Sequence, residues 1–290
     1  MKKIIFILLC SWFTICAAGA QCAAKNEAIQ AGELLTYDLK FNWKFIWKDA
    51  GVARMDMQAV TYQGKPCFRT NLVAATNGMV DFFFKMRDTL TCITTNRLEP
   101  LYFRKGAEEG DRYTVDEVWF SYKDDKCIAN QRRMRRGRDT VRARDESEGC
   151  MFDMLSILMQ ARSFDVDDYT VGQKIIFPMA TGTKIEDQTL IYRGKKVFKA
   201  EGGVKYRCLV FSLVEYKKGK EKEASVDIDC REEVGARFAR PKTVCFVYSG
   251  NPCHYGDVLK CTPSFFAHKG GVSKISFFRN HPRYNYLWRG

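Results

Sequence analysis

Histidine is scarce in this chain of 290 residues, which contains only His254, His268 and His281. All three lie near the C-terminus, so the long N-terminal part can host neither a Ser-His-Asp nor a Cys-His nucleophile system. Their absence from that part also excludes a zinc site built on histidine there. No Cys-x-x-Cys pair, dinucleotide fingerprint, Walker loop or EF-hand loop occurs in the sequence. Nucleophilic, nucleotide-dependent and zinc chemistry are therefore not predicted for this part.

Carboxylates are the remaining candidates for catalysis. They form three groups: Glu108, Glu109 and Asp111; Asp124 and Asp125; and Asp165, Asp167 and Asp168. Such groups can perform acid–base chemistry or bind calcium, but each falls in a predicted turn, where acidic residues are common anyway. We therefore predict no catalytic residue, no metal and no cofactor. A carboxylate-based envelope hydrolase is the least favoured interpretation.

Long apolar runs are also missing beyond residue 25, but one precedes it. Lys2 and Lys3 are followed by an apolar stretch and by Ala18, Gly19 and Ala20, the three-part pattern of a secretory signal. We predict residues 1–20 to be a signal peptide cleaved between Ala20 and Gln21. The alternative is a retained anchor, although the run is short for a hydrocarbon core of about 30 Å.

This pattern predicts an exported protein, in the periplasm or associated with the outer membrane. Removal of the signal leaves no transmembrane span, so any membrane contact is expected to be peripheral. Residues 21–31 are expected to form an N-terminal linker to a β-rich domain.

The net charge of +13 is concentrated rather than spread. Seven arginines lie in or just after the sequence QRRMRRGRDTVR: Arg132, Arg133, Arg135, Arg136, Arg138, Arg142 and Arg144. On a hairpin turning at Gly137, several guanidinium groups can share one face, and guanidinium forks suit phosphate and carboxylate. An exported protein meets lipid, lipopolysaccharide or acidic polysaccharide rather than nucleic acid. The alternative is a solvated hairpin that prevents edge-to-edge aggregation.

Cysteine is plentiful, with twelve in the chain and two of these, Cys10 and Cys16, inside the signal. Disulfides are chemically permitted outside the cytosol. The spacing of the others is irregular, however, and several lie in strand-like sequence. We favour buried, unpaired thiols over disulfides for the cysteines between Cys67 and Cys208.

Period-two alternation is the clearest structural signal. From residue 35 to residue 47 the odd positions are Leu, Tyr, Leu, Phe, Trp, Phe and Trp, which predicts a long strand with one buried face. The Lys-Asp-Ala-Gly sequence at 48–51 then predicts a turn. Turn signals recur along the chain, and one helix is predicted near 150–162. The fold class is mainly β: an extended antiparallel meander forming a curved sheet, sandwich or open barrel.

Aromatic residues mark two further places. Phe82, Phe83 and Phe84 form either a connection over the core edge or an exposed rim that contacts lipid or a partner. Trp43, Phe45 and Trp47 are expected to line an apolar concavity of the curved sheet. Together with Arg132, Arg133, Arg135, Arg136 and Arg138 they form the predicted ligand-binding set.

Specific residues also carry a resemblance. The opening GELLTYDLKFNWKFIWKDAGVARM is followed by Arg87-Asp88, Pro100, Gly110 and the Asp153-to-Ser156 helix start. Over residues 32–223 this chain resembles bacterial exported proteins of the domain of unknown function family 3108. The resemblance implies a β-meander, export and no established enzymatic activity, and it implies structural roles for the motif residues.

The remaining segment, 224–290, departs from that pattern. It is rich in Cys, His and Pro, and its strand alternation fades. Our hypothesis is that it is read in a shifted frame, or is poorly ordered, so that the closing strands of the family are missing.

The expected function is non-enzymatic binding or handling of an amphipathic or anionic envelope component. The alternative is a structural or interaction module of an envelope assembly, with a protein partner and no small ligand.

Overall fold

Strands dominate the structure, as the alternation predicts. The computed structural model describes residues 22–26, 28–43, 46–82, 85–199, 205–217, 220–233, 243–247, 264–266, 270–272 and 276–278. The first eight strands are β1 (Leu34–Trp43), β2 (Ile46–Tyr62), β3 (Lys65–Thr76), β4 (Met86–Thr95), β5 (Pro100–Glu109), β6 (Arg112–Lys123), β7 (Lys126–Arg135) and β8 (Val141–Ser147). Each pairs antiparallel with the next along the chain, which makes an eight-strand meander.

A second antiparallel run follows. It consists of β9 (Lys174–Ala180), β10 (Ile185–Lys199), β11 (Lys205–Lys217), β12 (Lys220–Glu233) and β13 (Thr243–Val247). Three short strands are β14 (Ser264–Phe266), β15 (Gly270–Val272) and β16 (Ser276–Phe278). The last of them lies parallel to both β1 and β13 and joins the two runs. Within the described strands, β8 and β9 end the order without pairing with each other, so the sheet is open.

The predicted turn signals connect the strands in the way their residues require. Asp124 and Asp125 form the two-residue β6–β7 loop with φ values of 52° and 58°. Two left-handed residues in a row make the type I′ turn, whose twist matches that of the strands it joins. Gly110, with φ of 59°, turns β5 into β6. Both turns were placed by sequence and are confirmed.

The predicted turn at 48–51 is wrong, because β2 runs straight through these residues. Leu39 pairs with Gly51 and Lys40 with Asp49, which leaves Ala50 as the extra residue of a β-bulge. At Gly51 a Cβ atom would lie 2.0 Å from the carbonyl oxygen of Ala75 on β3. The glycine therefore permits a close approach of two strands rather than a reversal.

Two α-helices occur in the described chain: α1 (Gly78–Asp81) and α2 (Met154–Ala161). A 3-10 turn at Val166–Asp168 follows the second. No helix of the described part is long and apolar enough to cross a membrane. The helix predicted near 150–162 is confirmed, and it packs on what we call the inner face of the eight-strand sheet.

The start of α2 is set by its cap. The Asp153 carboxylate accepts hydrogen bonds from the amides of Leu155 (2.9 Å) and Ser156 (2.8 Å), and the Ser156 hydroxyl accepts from the Asp153 amide (3.1 Å). This reciprocal capping box satisfies amides that the first helical turn leaves without partners. Residues before Asp153 consequently stay outside the helix, and Phe152 forms a parallel bridge with Met179.

Apolar residues of α2 and the sheet share one core. Leu155 and Met159 of the helix are buried in the same cluster as Leu90, Phe103 and Val118 of the sheet. Leu155 and Met159 are one helical turn apart and therefore point the same way. The helix thus covers the inner face over β4 to β6 with a single apolar side.

The N-terminal segment 22–33 holds the helix from the other side. Arg162, fully buried at the end of α2, forms a bidentate ion pair with Glu33, with one Nη1–Oε2 distance of 3.1 Å. The Gln160 amide donates to the carbonyls of Cys22 (3.1 Å) and Leu98 (3.2 Å). A Cys22–Cys150 disulfide completes the attachment. The segment predicted as a linker is therefore tied to the domain.

The cysteines divide into two groups. Cys67, Cys92 and Cys127 are free and buried, as predicted for strand residues. For Cys150 and Cys208 the preference for unpaired thiols is wrong, because both are disulfide-bonded. Cys150 lies in the connection between β8 and α2 rather than in a strand, so its side chain is directed by the path of the loop.

We expect the double change Cys22→Ser, Cys150→Ser to lower the free energy of unfolding by about 5 kcal/mol, the chain-entropy value for a crosslink that closes a loop of this length. The loop spans 128 residues of sequence separation. Urea unfolding of the oxidised wild type and the variant measures the difference. Equal stabilities would show that the disulfide does not stabilise the attachment of the N-terminal segment. Cys127→Ser is the control for the loss of a buried thiol that forms no crosslink.

Gly51→Ala should destabilise the fold by about 2 kcal/mol or more, because a new Cβ in contact with backbone cannot be relieved by a side-chain rotation. Gly78→Ala is the matched control, since a Cβ there meets nothing within 4 Å. Thermal unfolding of the two variants checks the expectation. A Gly51→Ala protein as stable as Gly78→Ala would show that the bulge relaxes.

Candidate functional site

Alternate connections of the eight-strand meander lie at the same end of the sheet, because consecutive strands are antiparallel. The connections 77–85, 110–111 and 136–140 share one end with the turn between β1 and β2. We call this the arginine end. The connections 63–64, 96–99 and 124–125 lie at the opposite end.

An apolar surface projects from the arginine end. The one-turn helix α1 is capped by Asn77, whose side chain accepts from the Val80 amide at 3.1 Å. Met79 is 72% exposed and Phe82 is 85% exposed. For Phe82 the structure therefore favours the exposed rim over the buried connection. Phe83 and Phe84 lie outside the described residues.

An ion pair attaches this surface to the sheet. Arg87 at the start of β4 donates to the Asp81 carboxylate, with an Nη1–Oδ1 distance of 2.9 Å and a second bond from Nη2. These hydrogen bonds, with one from Thr76, lower the pKa of Asp81 to about 2. The orientation of α1 is thus maintained across the whole range of ordinary pH.

The β7–β8 connection contributes positive charge at the same end. Arg135, Arg136 and Arg138 are exposed. None of the three has an ion pair with another described residue, while Arg136 lies 5.9 Å from the centre of the Tyr113 ring. Gly137, with φ of 68°, provides the left-handed turn residue that the sequence predicted.

Arg132 and Arg133 differ from these three, since successive strand residues point to opposite faces. Arg132 lies on the outer face, where Nε is 3.0 Å from Glu117 Oε2 and the guanidinium sits 5.3 Å from the Trp119 ring centre. Arg133 lies on the inner face and is bidentate to Asp116, with Nε–Oδ1 at 2.5 Å and Nη2–Oδ2 at 3.0 Å. Both are already neutralised, so the run does not act as one patch.

The other predicted aromatic residues belong to the same end. In register Trp43 pairs with Ile46 and Trp47 with Asn42, which places both backbones beside the β1–β2 turn. Phe45 lies outside the described residues, as do the signal cleavage residues Ala20 and Gln21 and all three histidines. Most of the tail after residue 233 is also outside them, so its frame-shift hypothesis stays a prediction. The β1–β2 and β7–β8 connections thus lie at the same end of the sheet.

The inner face carries a buried row of charge. Lys105 lies opposite Asp116 in register, and Asp116 lies opposite Arg133. The Lys105 ammonium is 3.9 Å from Glu109, two positions further along the same face of β5. Alternating signs across neighbouring strands stabilise the row, since like charges placed opposite would repel.

The β9–β10 turn packs on this row. Arg133 Nη2 donates to the Thr181 carbonyl at 2.6 Å, and the Gly182 amide donates to Gln131 Oε1 at 2.9 Å. A Cβ on Gly182 would lie 2.6 Å from the Asp116 carboxyl carbon. Glycine is therefore required for the second run to reach the inner face.

Five of the six motif residues take part in turns, caps or contacts between elements. Arg87 secures α1, Gly110 forms a turn, and Asp153 with Ser156 caps α2. The Pro100 carbonyl accepts from the Tyr122 hydroxyl at 2.8 Å. The contacts of Arg87, Asp153 and Ser156 depend on their side chains, and Gly110 is suited to its positive φ, whereas Pro100 contributes only its backbone carbonyl.

Asp88 differs from these five. Its side chain is on the inner face of β4 with 0% exposure, and neither carboxylate oxygen has a hydrogen-bond partner within the described residues. Burial raises the pKa of Asp88 to about 7, against the opposing effect of Lys105. An ionised carboxylate in this position is costly, because nothing described replaces the water it loses.

Sequence reasoning did not find Lys105, Glu109 or Asp116 as members of one row. The available signal was the period of two, which puts Asp88 on the same face as Leu90 and Cys92. This period does not show which residues of neighbouring strands lie opposite each other, because that depends on the register between the strands. Across the described chain, His, Cys, Asp and Glu side chains form no group of three or more that could hold a metal ion.

Asp88→Asn should raise stability more at pH 8 than at pH 5. The folded pKa of about 7 exceeds the ordinary 3.8, so this group stabilises the fold below about pH 4, and that contribution is lost as the pH rises through 7. The gain of the variant over wild type should be about 2–3 kcal/mol larger at pH 8, at about 1.4 kcal/mol per pKa unit.

Urea unfolding of both proteins at the two pH values measures this difference. The pKa of Asp153 is also raised by burial, to about 6, but its effect is common to both proteins and cancels. Asp139→Asn, in the exposed β7–β8 turn, is the matched control. A gain that does not depend on pH would contradict the assignment.

Comparison with known proteins finds no curated protein and no solved structure that matches the chain significantly. A family model described as "Protein of unknown function (DUF3108)" matches residues 36–228, which include β1 to β11 almost completely. The chain therefore belongs to the DUF3108 family.

Proposed function

We propose that this is an exported, non-enzymatic protein that attaches to an anionic lipid surface of the cell envelope through its arginine end. The observation that carries the proposal is that exposed apolar side chains and basic side chains without an ion pair lie at the same end of the sheet. Met79 and Phe82 are exposed there, together with Arg135, Arg136 and Arg138.

The two kinds of side chain act on different parts of a bilayer. Phe82 and Met79 can bury apolar area at the boundary between headgroups and acyl chains. The guanidinium groups can bind phosphate oxygens with charge-assisted hydrogen bonds. Near an anionic surface each basic residue contributes about 1 kcal/mol, so three arginines supply an attraction that a single aromatic cannot.

Export is supported by two independent observations. The sequence begins with a basic and apolar stretch followed by small residues, the pattern of a secretory signal. The folded domain contains a Cys22–Cys150 disulfide, and such bonds persist in oxidising compartments. A domain with both features fits a periplasmic or outer-membrane-associated location.

Vesicle co-sedimentation tests the proposal. The wild type should bind phosphatidylglycerol vesicles and should bind phosphatidylcholine vesicles weakly. The triple change Arg135→Ser, Arg136→Ser, Arg138→Ser should reduce partitioning onto the anionic vesicles by about a hundredfold, as three contributions of about 1 kcal/mol imply. Added salt should weaken binding of the wild type more than that of the variant.

The matched control removes the same charge from the opposite end. Lys65, Lys123 and Lys126 are exposed there, and their triple change to Ser should leave vesicle binding nearly unchanged. If both triple variants lose binding equally, net charge and not the arginine end is responsible.

A second pair of variants separates lipid from other polyanions. Met79→Ser with Phe82→Ser should weaken vesicle binding, whereas Val171→Ser with Ile176→Ser, also exposed, should not. If the apolar pair is dispensable and an acidic polysaccharide binds as well as the vesicles, the ligand is the polysaccharide. Failure of the wild type to bind either would favour the interaction-module alternative.

A further inference from the structure

The two strands that end the described order of the sheet differ at their open edges. On the edge of β9 the Phe152 amide donates to the Pro178 carbonyl at 3.0 Å, and the Ala180 amide donates to the Phe152 carbonyl at 2.8 Å. Proline also has no N–H with which a further strand could pair. Among the described strands, β8 pairs with β7 alone. The edge of β8 is therefore the one at which another strand can add.

The β6–β7 turn decides which backbone groups of β7 face β8. Asp124 and Asp125 form a two-residue type I′ turn, so the pair that closes it, Lys123 and Lys126, is hydrogen-bonded. Hydrogen-bonded and non-hydrogen-bonded pairs then alternate along the two strands. The even-numbered residues of β7 consequently bond to β6, and its odd-numbered residues direct their N–H and C=O groups toward β8.

The same alternation decides what β8 presents. Its odd-numbered residues, from Val141 to Ser147, lie opposite the odd-numbered residues of β7 and bond to them. Arg142, Arg144 and Glu146 therefore direct their N–H and C=O groups away from β7, toward the open edge. Such a row of N–H and C=O groups is a template for pairing with another strand.

The side chains of these residues are exposed charges of both signs on the outer face, and an exposed Glu148 follows them. Within one chain, Arg144 Nη2 is 2.7 Å from Glu146 Oε1, and both side chains are more than a third exposed. Arg142 has no ion pair with another described residue. Exposed ion pairs contribute little to stability, so these groups can change partner at small cost.

Two copies of β8 are complementary when they pair antiparallel about Asp145. Arg144 then lies opposite Glu146 of the second copy, and Arg142 lies opposite Glu148. Each of these pairs occurs twice, because the arrangement has two-fold symmetry. Asp145 opposite its own equivalent is the one like-charged contact. Centring the pairing on Arg144 or on Glu146 instead keeps one kind of Arg–Glu pair and still opposes two like charges. Since opposite charges across strands stabilise and like charges destabilise, the arrangement about Asp145 is favoured.

We propose that the edge of β8 is an interaction surface for a second copy of this chain, joined antiparallel about Asp145 in a two-fold symmetric dimer. Backbone hydrogen bonds of Arg142, Arg144 and Glu146 hold the two strands together, and the alternating charges select the register. β8 has seven residues and is about 24 Å long at 3.4 Å per residue. One strand of this length makes a small interface, so the dimer forms reversibly.

Analytical ultracentrifugation of the folded, oxidised protein measures the dimer. No lipid is present, so this proposal and attachment at the arginine end can fail separately. The wild type should convert from monomer to dimer as its concentration rises to about 1 mM. A protein that stays monomeric over this range overturns the proposal.

Charge reversal tests the pairing of side chains. Arg144→Glu should raise the dissociation constant of the dimer about tenfold or more, because it twice places a carboxylate opposite Glu146. Combining it with Glu146→Arg should restore the wild-type value, since the opposed charges again differ in sign. Arg54→Glu, which makes the same change at an exposed position of β2, is the matched control and should have no effect. A dimer that responds equally to both single changes depends on net charge and not on β8.

Two further pairs of variants test the backbone pairing and the register. Arg144→Pro should weaken the dimer more than Arg144→Gln, which loses the same charge but keeps the N–H at the open edge, and urea unfolding shows whether each remains folded. With copper phenanthroline as oxidant, Asp145→Cys should form a covalent dimer, because this position lies opposite its own equivalent. Glu146→Cys, one residue away and opposite Arg144, should not. Equal crosslinking of the two cysteine variants overturns the register, and equal dimerisation of the proline and glutamine variants overturns pairing through β8.

Discussion

Burial of one apolar face of a long, open sheet is the constraint on which the rest of this structure depends. Leu90, Phe103 and Val118 line that face, and each would be exposed in an uncovered sheet. The cover is a helix of eight residues, about 12 Å long at 1.5 Å per residue. Such a short helix cannot hold its place by packing alone. Its two ends are fixed by buried polar groups, the Asp153 cap and the Arg162–Glu33 ion pair. The Cys22–Cys150 disulfide links the N-terminal segment to the connection that precedes the helix.

The limited length of the helix explains the chemistry of the remaining inner face. Beyond the end of α2, the β9–β10 turn covers the inner face. It contacts charged rather than apolar residues there. Buried charges are tolerated when each has a partner, and the bidentate Arg133–Asp116 pair follows this rule. Asp88 does not follow it. A buried carboxylate without a hydrogen-bond donor is destabilising, and burial accordingly raises the pKa of Asp88 to about 7.

The meander topology places at one end of the sheet the side chains that we propose attach the protein to a membrane. Because consecutive strands reverse direction, the connection that carries Met79 and Phe82 and the connection that carries Arg135, Arg136 and Arg138 emerge at the same end. The Arg87–Asp81 ion pair fixes the first connection, and Gly137 shapes the second. The named side chains of both connections are exposed rather than set in a cavity, so they are suited to contact with a flat partner.

Local patterns in the sequence were sufficient for most elements of this protein. Alternation with a period of two identifies strands, paired acidic residues identify the β6–β7 turn, and Asp153 with Ser156 identifies the helix start. Each depends on residues a few positions apart, so no knowledge of the fold is needed. The pattern failed at Asp49-Ala50-Gly51, where a turn-like sequence forms a bulge because β3 lies close beside it.

Pairings between distant segments were decided only by the tertiary structure. Alternation places Arg132 and Arg133 on opposite faces of the sheet. It cannot show that Glu117 lies next to Arg132 and that Asp116 lies next to Arg133. Nor can it say that Asp88 lies between Ala74 and Ala107 with no donor in reach. These facts depend on strand register, which is set by the burial of the whole apolar face. The sequence by itself determined the strands, the turns and the helix cap, and the packing of the sheet decided which charges are paired and which one is not.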